Sequence, residues 1–550
     1  MIYSMAPSSR GLGRSPLKAK TRVRFPLGLF QDVLNEVHNR FLSRGCFQKS
    51  RLFCPVSGTT NTIAFDGGFR MESLTSRKLI YLGSLCLVLL FPATLTAQKT
   101  TELIIRNGTI ATSEGRYMGD IRIIGETITE IGQKLPSKPS SEEIDATGML
   151  VIPGGIDPHT HLSIGEDNYT TGSAAALAGG MTTISNFLTP KEGETFQSLI
   201  SRGQSQIDSE AIADIFLHST INDPTGRPEQ INELKKLGQT STKVFMNRPV
   251  FEEKIEEYLA MLNAAGEAGV MSMMHCEDGP ILSHAVAQLT AAGHTSLEHY
   301  PESRPLVGEV VATQRAVGMA EATGAPIYIV HMSSEGALRV AQDAQTRGLP
   351  VYVETRPIYL HLTGERYDEE DRGLYIGQPP LREQSDQDAM WTGIANGTVH
   401  VVGTDHVPYS KATKMDPNQT IARHHAGMSN LQLIRPMIYS EGVVNNRISL
   451  ERFIAVTATN PAKLFGLFPR KGTIAIGSDA DIVIWDPKET RTVRDEDMLS
   501  GSGYSTYAGW QVTGWPIITI RRGEIVYKNG QIVGKAGTGE LLHRGRWSAP

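Results

Sequence analysis

The sequence predicts an α/β fold: a (β/α)₈ TIM barrel with a small composite β-sandwich domain formed by the N- and C-terminal parts. Three observations carry that expectation. Eight short apolar runs alternate with helical segments through the middle of the chain, the order expected of a parallel barrel. Each run is followed by a polar or ionisable residue, where such barrels carry their chemistry. The segments on either side of this stretch alternate apolar and polar residues with period two, as half-buried strands do.

Composition agrees with a globular chain. With 550 residues, 20% charged and 40% hydrophobic, the sequence is neither disordered, collagen-like nor coiled coil. Residues 1–97 hold 13 Lys and Arg against 4 Asp and Glu, whereas the remainder holds 40 against 54. An acidic body of that kind is a poor partner for phosphate backbones, so nucleic acid is not expected.

Within the first hundred residues, one apolar run stands out, Leu79 to Phe91. It is too short for a comfortable membrane span. Arg77-Lys78 precede it and Thr94-Leu95-Thr96-Ala97 follow, so residues 71–97 read as a signal peptide with a basic start, an apolar centre and a small-residue cleavage site. The expected product is exported, periplasmic or secreted, without a membrane anchor after cleavage. Residues 1–70, basic and without period, read as a non-native or disordered upstream extension, with translation starting at Met71. Of Cys46, Cys54, Cys86 and Cys276, only Cys276 would survive cleavage, so the mature chain would have no internal disulfide.

After this leader, residues 98–153 hold the first strand-like runs, Glu102 to Ile105, Asp120 to Ile123 and Ile128 to Ile131, with Asn107-Gly108 and Gly125-Glu126 as turns. Residues 468–535 behave alike, through Asp481 to Trp485, Ile517 to Ile520 and Glu524 to Tyr527. Residues 536–550 are left as a tail. The barrel is assigned to 154–467. Its strand candidates are Val151-Ile152 leading to His159, Thr182 to Leu188, Ile212 to Leu217, Lys243 to Met246, Val270 to Met274, Pro326 to Val330, Pro350 to Val353 and Val399 to Val402. Glu252 to Ala265 and Gly308 to Ala322 are among the intervening helices.

What closes those strands is informative. The first ends in Asp157-Pro158-His159-Thr160-His161, the fifth at His275, the sixth at His331 and the eighth at Asp405. On an extended chain residues i and i+2 share a face, so His159 and His161 reach one site. Imidazoles with a carboxylate and no thiolate set suit zinc or a similar divalent ion, with positions left open for water. His218, His284, His294, His299, His406, His424 and His425 stay unassigned, and Cys276 reads as a small buried filler rather than a nucleophile.

These residues are recognisable. Gly154 to His161 (GGIDPHTH) and Ala175 to Thr183 (AALAGGMTT) resemble the amidohydrolase superfamily, in its dihydropyrimidinase and hydantoinase branch. The likeness continues through Thr242 to Met246, His275 to Gly279, Val330 to Ser333, Gly403 to His406, Phe453 to Leu464 and Gly472 to Pro487. The resemblance implies two divalent metal ions, zinc first, one held by His159, His161 and Asp405 and the other by His275 and His331. Lys243 would bridge them as a carbamate formed with CO₂, since a free ammonium has no lone pair for a cation. It further implies a hydroxide bridging the two ions, which attacks the amide of a cyclic ureide to yield an N-carbamoyl amino acid. Asp405 would carry the proton to the leaving nitrogen. Relatives are commonly tetramers, so a homo-oligomer is expected.

Two substrate-facing elements depart from the family pattern. Arg248 stands where the strand-four motif has a Tyr that stabilises the oxyanion, and the substrate loop reads Arg423-His424-His425-Ala426-Gly427. Arg248, and with it Arg423, can stabilise an oxyanion or pair with a substrate carboxylate. Ser333 and Gly427 complete the expected substrate contacts. Alternatives stay open at this point: an allantoinase- or dihydroorotase-like ring opener, an exported amidohydrolase acting on linear N-acyl amino acids or isopeptides, or a non-enzymatic dihydropyrimidinase-related interaction protein. Against dihydroorotase, Leu162-Ser163 follow the His pair where its pattern places Arg.

Overall fold

The computed structural model describes residues 102–550. The leader and upstream segment expected at 1–97 lie outside them. Among the described residues no helix is long and apolar enough to cross a membrane.

Strands β1 (Glu102–Thr112), β2 (Gly115–Ile124), β3 (Thr127–Gly132), β4 (Glu142–Asp145) and β5 (Leu150–Pro153) come from the N-terminal part. β6 (Gly155–Asp157), β7 (Met181–Leu188), β8 (Asp214–Thr220), β9 (Ser241–Phe245), β10 (Met271–His275), β11 (Ile327–Ile329), β12 (Val351–Thr355) and β13 (Val401–Val402) form the barrel sheet in that order. β14 (Ile482–Thr492), β15 (Gln511–Arg521), β16 (Glu524–Lys528) and β17 (Gln531–Ile532) follow. They join the first five strands in one nine-stranded sheet, in which β14 runs antiparallel to β5 with Val483 opposite Ile152.

One strand assignment is corrected here. Val151-Ile152 does not open the barrel: it lies in β5, between β1 and β14, and the first barrel strand is the three-residue β6. A run that is apolar on both faces looks the same whether a barrel or a sandwich buries it, and only pairing partners decide. The other seven barrel runs fall where the sequence places them, within a few residues at each end.

Alternation explains the sandwich. Ile105, Ile121, Ile123 and Ile128 of one arm pack with Ile482, Ile484, Ile518 and Ile520 of the other, all buried, so the sheet folds over its own core. Inside the barrel, Ile156, Phe216, Met271, Met273, Tyr328 and Val401 fill the lower layers, as a packed core rather than a pore. Closure at the first and last strands is polar: buried Asp157 accepts bonds from Thr404 N at 3.2 Å and Thr404 Oγ1 at 2.5 Å. His161 N donates to the His406 carbonyl at 2.9 Å just above.

The last fifteen residues belong to the barrel foot. Ile215 N donates to the Glu540 carbonyl at 2.8 Å and Leu542 N to the Ile215 carbonyl at 2.7 Å, so the chain lies alongside β8. Leu542 joins the barrel core, and the buried Arg544 donates to the Leu217 carbonyl at 2.8 Å and to Ser241 Oγ at 2.9 Å.

Candidate active site

Each expected ligand sits at or just beyond a strand end. His159 and His161 follow β6, Lys243 is the third residue of β9, His275 closes β10, and His331 and Asp405 stand two and three residues past β11 and β13. His331 and Asp405 adopt left-handed backbone angles, φ 42° and 48°. Each such residue costs about 1–3 kcal/mol and persists only where surrounding structure enforces it.

His159 Nε2 and His161 Nε2 lie 3.1 and 3.0 Å from Asp405 Oδ1. These three form the one group of three or more side chains placed to hold a metal ion found among the described residues. Beside them, His275 Nδ1 is 2.9 Å from His331 Nε2. Aromatic contacts tie the halves together, with the His159 and His331 rings 5.5 Å apart and His161 stacked on Phe187 at 4.7 Å.

Electrostatics suit ligation. Burial holds the His275 and His331 imidazoles below their ordinary range, which keeps them neutral and able to donate a lone pair. Asp405 is fully charged: against the burial that would raise it, His159 and then Arg356 hold it well below the carboxylate range. Lys243 is 1% exposed and its Nζ has no hydrogen-bond partner. Burial pulls its ammonium down to about 8, nearer to neutral than an exposed lysine. The orphaned Lys243 Nζ and His331 Nδ1, in a largely buried cluster of imidazoles and a carboxylate, fit a divalent metal pair.

Supporting residues absent from the sequence reading orient these ligands. Glu354 is completely buried at the end of β12: its Oε1 meets His159 Nδ1 at 2.6 Å and accepts from His331 N at 3.0 Å, while its Oε2 accepts from Tyr328 OH at 2.8 Å. One carboxylate thereby sets the tautomer of a ligand in one half of the site and braces the left-handed backbone of a ligand in the other. Glu277 Oε2 meets His275 Nε2 at 2.9 Å and accepts from Arg304 Nη2, while its Oε1 accepts from Arg304 Nε at 2.9 Å. Although burial opposes it, Arg304 holds Glu277 at about 2. Arg356 Nη1 lies 3.1 Å from Asp405 Oδ2, leaving Oδ1 for the imidazoles. An acid inside the apolar run VYVET was the available signal for Glu354.

The expected substrate contacts fare unevenly. Arg248 stacks on Phe245, Cζ 4.2 Å from the ring centre, and donates to Asn222 Oδ1. Ser333 is committed to Glu309, which accepts from its N at 2.8 Å and its Oγ at 2.7 Å. Arg423 is exposed, its N–H donating to the Thr420 carbonyl. Gly427 is buried beside Val407 at φ 151°, where a side chain would strike Val407. Two unassigned histidines prove structural: His218 sits between the Pro158 carbonyl and Ser241 Oγ, and His406 Nε2 pairs with Asp167 at 2.8 Å. Cys276 is buried, its thiol raised by burial, as expected of a filler.

Residues 150–526 match the amidohydrolase family. A D-hydantoinase of Geobacillus stearothermophilus is 35% identical over 460 residues, covering 81% of this chain and 97% of the relative. The crystal structure of a dihydropyrimidinase from Brevibacillus agri superposes with a TM-score of 0.78 at 35% identity, over 82% of this chain and all of its own. An L-hydantoinase (dihydropyrimidinase) from Arthrobacter aurescens gives 0.74 at 27% identity, over 81% of this chain and 100% of its own. With motifs, fold and ligand geometry in agreement, the chain belongs to the amidohydrolase family, in its hydantoinase and dihydropyrimidinase branch.

Proposed function

We propose that the chain opens a hydantoin- or dihydropyrimidine-like ring to an N-carbamoyl amino acid. The coarser statement, a metal-dependent hydrolase of cyclic amides, follows from the family and its similarity to hydantoinases. The observation that carries the finer reading is a three-ligand cluster beside a buried lysine that no protein group satisfies.

His159, His161 and Asp405 would hold one ion, zinc by the chemistry of the donors, and His275 and His331 the other, with Lys243 bridging as its carbamate. When bound, such a pair acidifies water and polarises a carbonyl. Water adds its oxygen to the ring carbonyl carbon and its proton reaches the ring nitrogen as the C–N bond breaks. Asp405 is the carrier: charged and held by Arg356 on Oδ2, it accepts the proton and passes it on. Glu354 and Glu277 keep His159 and His275 in the tautomers ligation requires.

The protein loaded with zinc and bicarbonate is expected to open at least one ring among dihydrouracil, hydantoins, allantoin and dihydroorotate, with Asp405→Asn inactive. Two bound ions without any ring opening would overturn the reading and move the search to linear amides. Export rests on the Arg77-Lys78, Leu79 to Phe91 and Thr94 to Ala97 pattern, and N-terminal sequencing of the secreted product should begin after Ala97.

A further inference from the structure

Charges near the barrel mouth are mostly matched. Glu277 meets Arg304, Asp405 meets Arg356, Glu194 meets Arg202 and Asp223 meets Lys254. Arg248 is different: no ion pair is formed by it among the described residues, although it is partly buried. Its guanidinium is nonetheless fixed, lying on Phe245 and bonded to Asn222. The same Phe245 ring has Lys243 Nζ 5.3 Å and the His275 ring 5.4 Å from its centre, so the unpaired cation is one side chain away from the ligand cluster.

Asn222 also lines a polar cavity of about 390 Å³ between the loops that follow β7 and β8. Arg227 lines it too and likewise lacks a carboxylate partner: its Cζ lies 4.9 Å from the Phe196 ring centre and its Nη1 donates to Gln230 Oε1 at 2.8 Å. Of the acids there, Glu194 and Asp223 are neutralised by Arg202 and Lys254, which leaves Glu192 against Lys191. The local balance is therefore cationic: Arg227 lines the cavity, Arg248 is joined to its wall through Asn222, and neither guanidinium has a carboxylate partner.

Resting on the ring-opening reading, we propose that Arg248 is a specificity residue that receives a carboxylate of the substrate, so that the preferred rings are cyclic ureides whose exocyclic substituent ends in a carboxylate. A carboxylate matches the planar fork in a bidentate manner, and a site built for that pairing discriminates against a neutral isostere whose amide leaves the guanidinium uncompensated. An oxyanion role fits less well, because Arg248 touches Phe245 and Asn222 and none of the ligand cluster.

The test compares two hydantoins with C5 substituents of equal length, 2-carboxyethyl and 2-carbamoylethyl, on the full-length, metal-loaded protein. The carboxylate ring is expected to show kcat/KM at least about tenfold above its amide counterpart, a preference that shrinks at high salt. Arg248→Gln should bring the ratio close to one, and Arg248→Lys, which keeps the charge but loses the fork, should land between. Metal content and thermal midpoint are measured for both variants, and if the Gln variant does not fold, a fall of about threefold or more in the ratio for Arg248→Lys stands as the supporting result. A wild-type ratio of one or below, or a preference that survives both substitutions, overturns the proposal while leaving ring opening intact. If neither hydantoin is opened and the wider panel is also inert, the ring-opening reading itself falls, and this inference with it.

Discussion

Two lysines of this barrel are equally buried, each 1% exposed, and the protein treats them in opposite ways. At the foot, Lys471 Nζ lies 2.8 Å from Asp214, 2.7 Å from Asp481 and 3.2 Å from Asp479, and Arg522 adds a second cation to Asp214. Burial would lower its ammonium, but these carboxylates raise it instead. At the mouth, Lys243 has no such partner, and burial prevails. A buried charge that is fully paired ties elements together, here β8, the loop before β14 and the C-terminal segment through Glu540. A buried amine left unpaired is a cost to the fold, and under the proposed function that cost is met because the carbamate of Lys243 would hold the ions.

That difference should appear most strongly on substituting each lysine. Lys243→Met is expected to abolish metal retention and to lower ring-opening turnover by about 10³-fold or more, because hydrolysis in this site depends on the ions. Its thermal midpoint should equal or exceed that of the parent protein freed of metal, since an unpaired buried amine has gone. Elemental analysis, turnover and melting curves check all three, and a metal-retaining variant would break the comparison.

Lys471→Met should do the reverse. Leaving Asp214 and Asp481 buried without their cation destabilises by about 3–5 kcal/mol, read as a lower denaturant midpoint, while each folded molecule keeps its metals. This loss carries a pH signature. Asp214 is held below its ordinary value by Lys471 and Arg522, against the burial that would raise it. Its stabilisation is thus complete above the unfolded value of about 4 and fades as pH falls through the lower folded value. Lys471, being raised, loses its contribution only on the alkaline side, as pH rises through its folded value. The gap between parent and Lys471→Met should therefore be flat from about pH 5 to 9 and narrow below about pH 4. Melting curves across that range would show it, and a gap that widens in acid would refute the assignment.

Smaller again is the expected effect of Glu354→Gln. The amide keeps the shape but no longer fixes the His159 tautomer by charge, so metal affinity should drop about 10–100-fold with the fold retained. Competition with a chelator measures it. An unchanged affinity would mean that Glu354 only braces the His331 backbone.

The barrel, the two-ended β domain and the five strand-end side chains gathered at its mouth were legible in the sequence because they follow from periodicity and from which residues close apolar runs. Lys243 was not legible in that way: within a strand it looks ordinary, and only the family likeness singled it out. Glu354 and Arg356 were missed because each acts on a residue far off in sequence, His159 and Asp405, and Glu277, although it meets His275 two residues away, is held in place by the distant Arg304. Val151-Ile152 was placed in the wrong sheet because an apolar strand carries no record of its neighbours.

By itself, then, the sequence determined local quantities: strand and helix periods, the His159 and His161 pair on one face, turn glycines, and the acidic balance of the body. Tertiary structure decided which charges meet. It paired Lys471 and left Lys243 alone, put Asp405 between two imidazoles and Arg356, and packed the last residues beneath the barrel. The physical reason is that burial and pairing are properties of distance in space, and the same amine is a strut or a reactive group according to what the fold brings within about 3 Å of it.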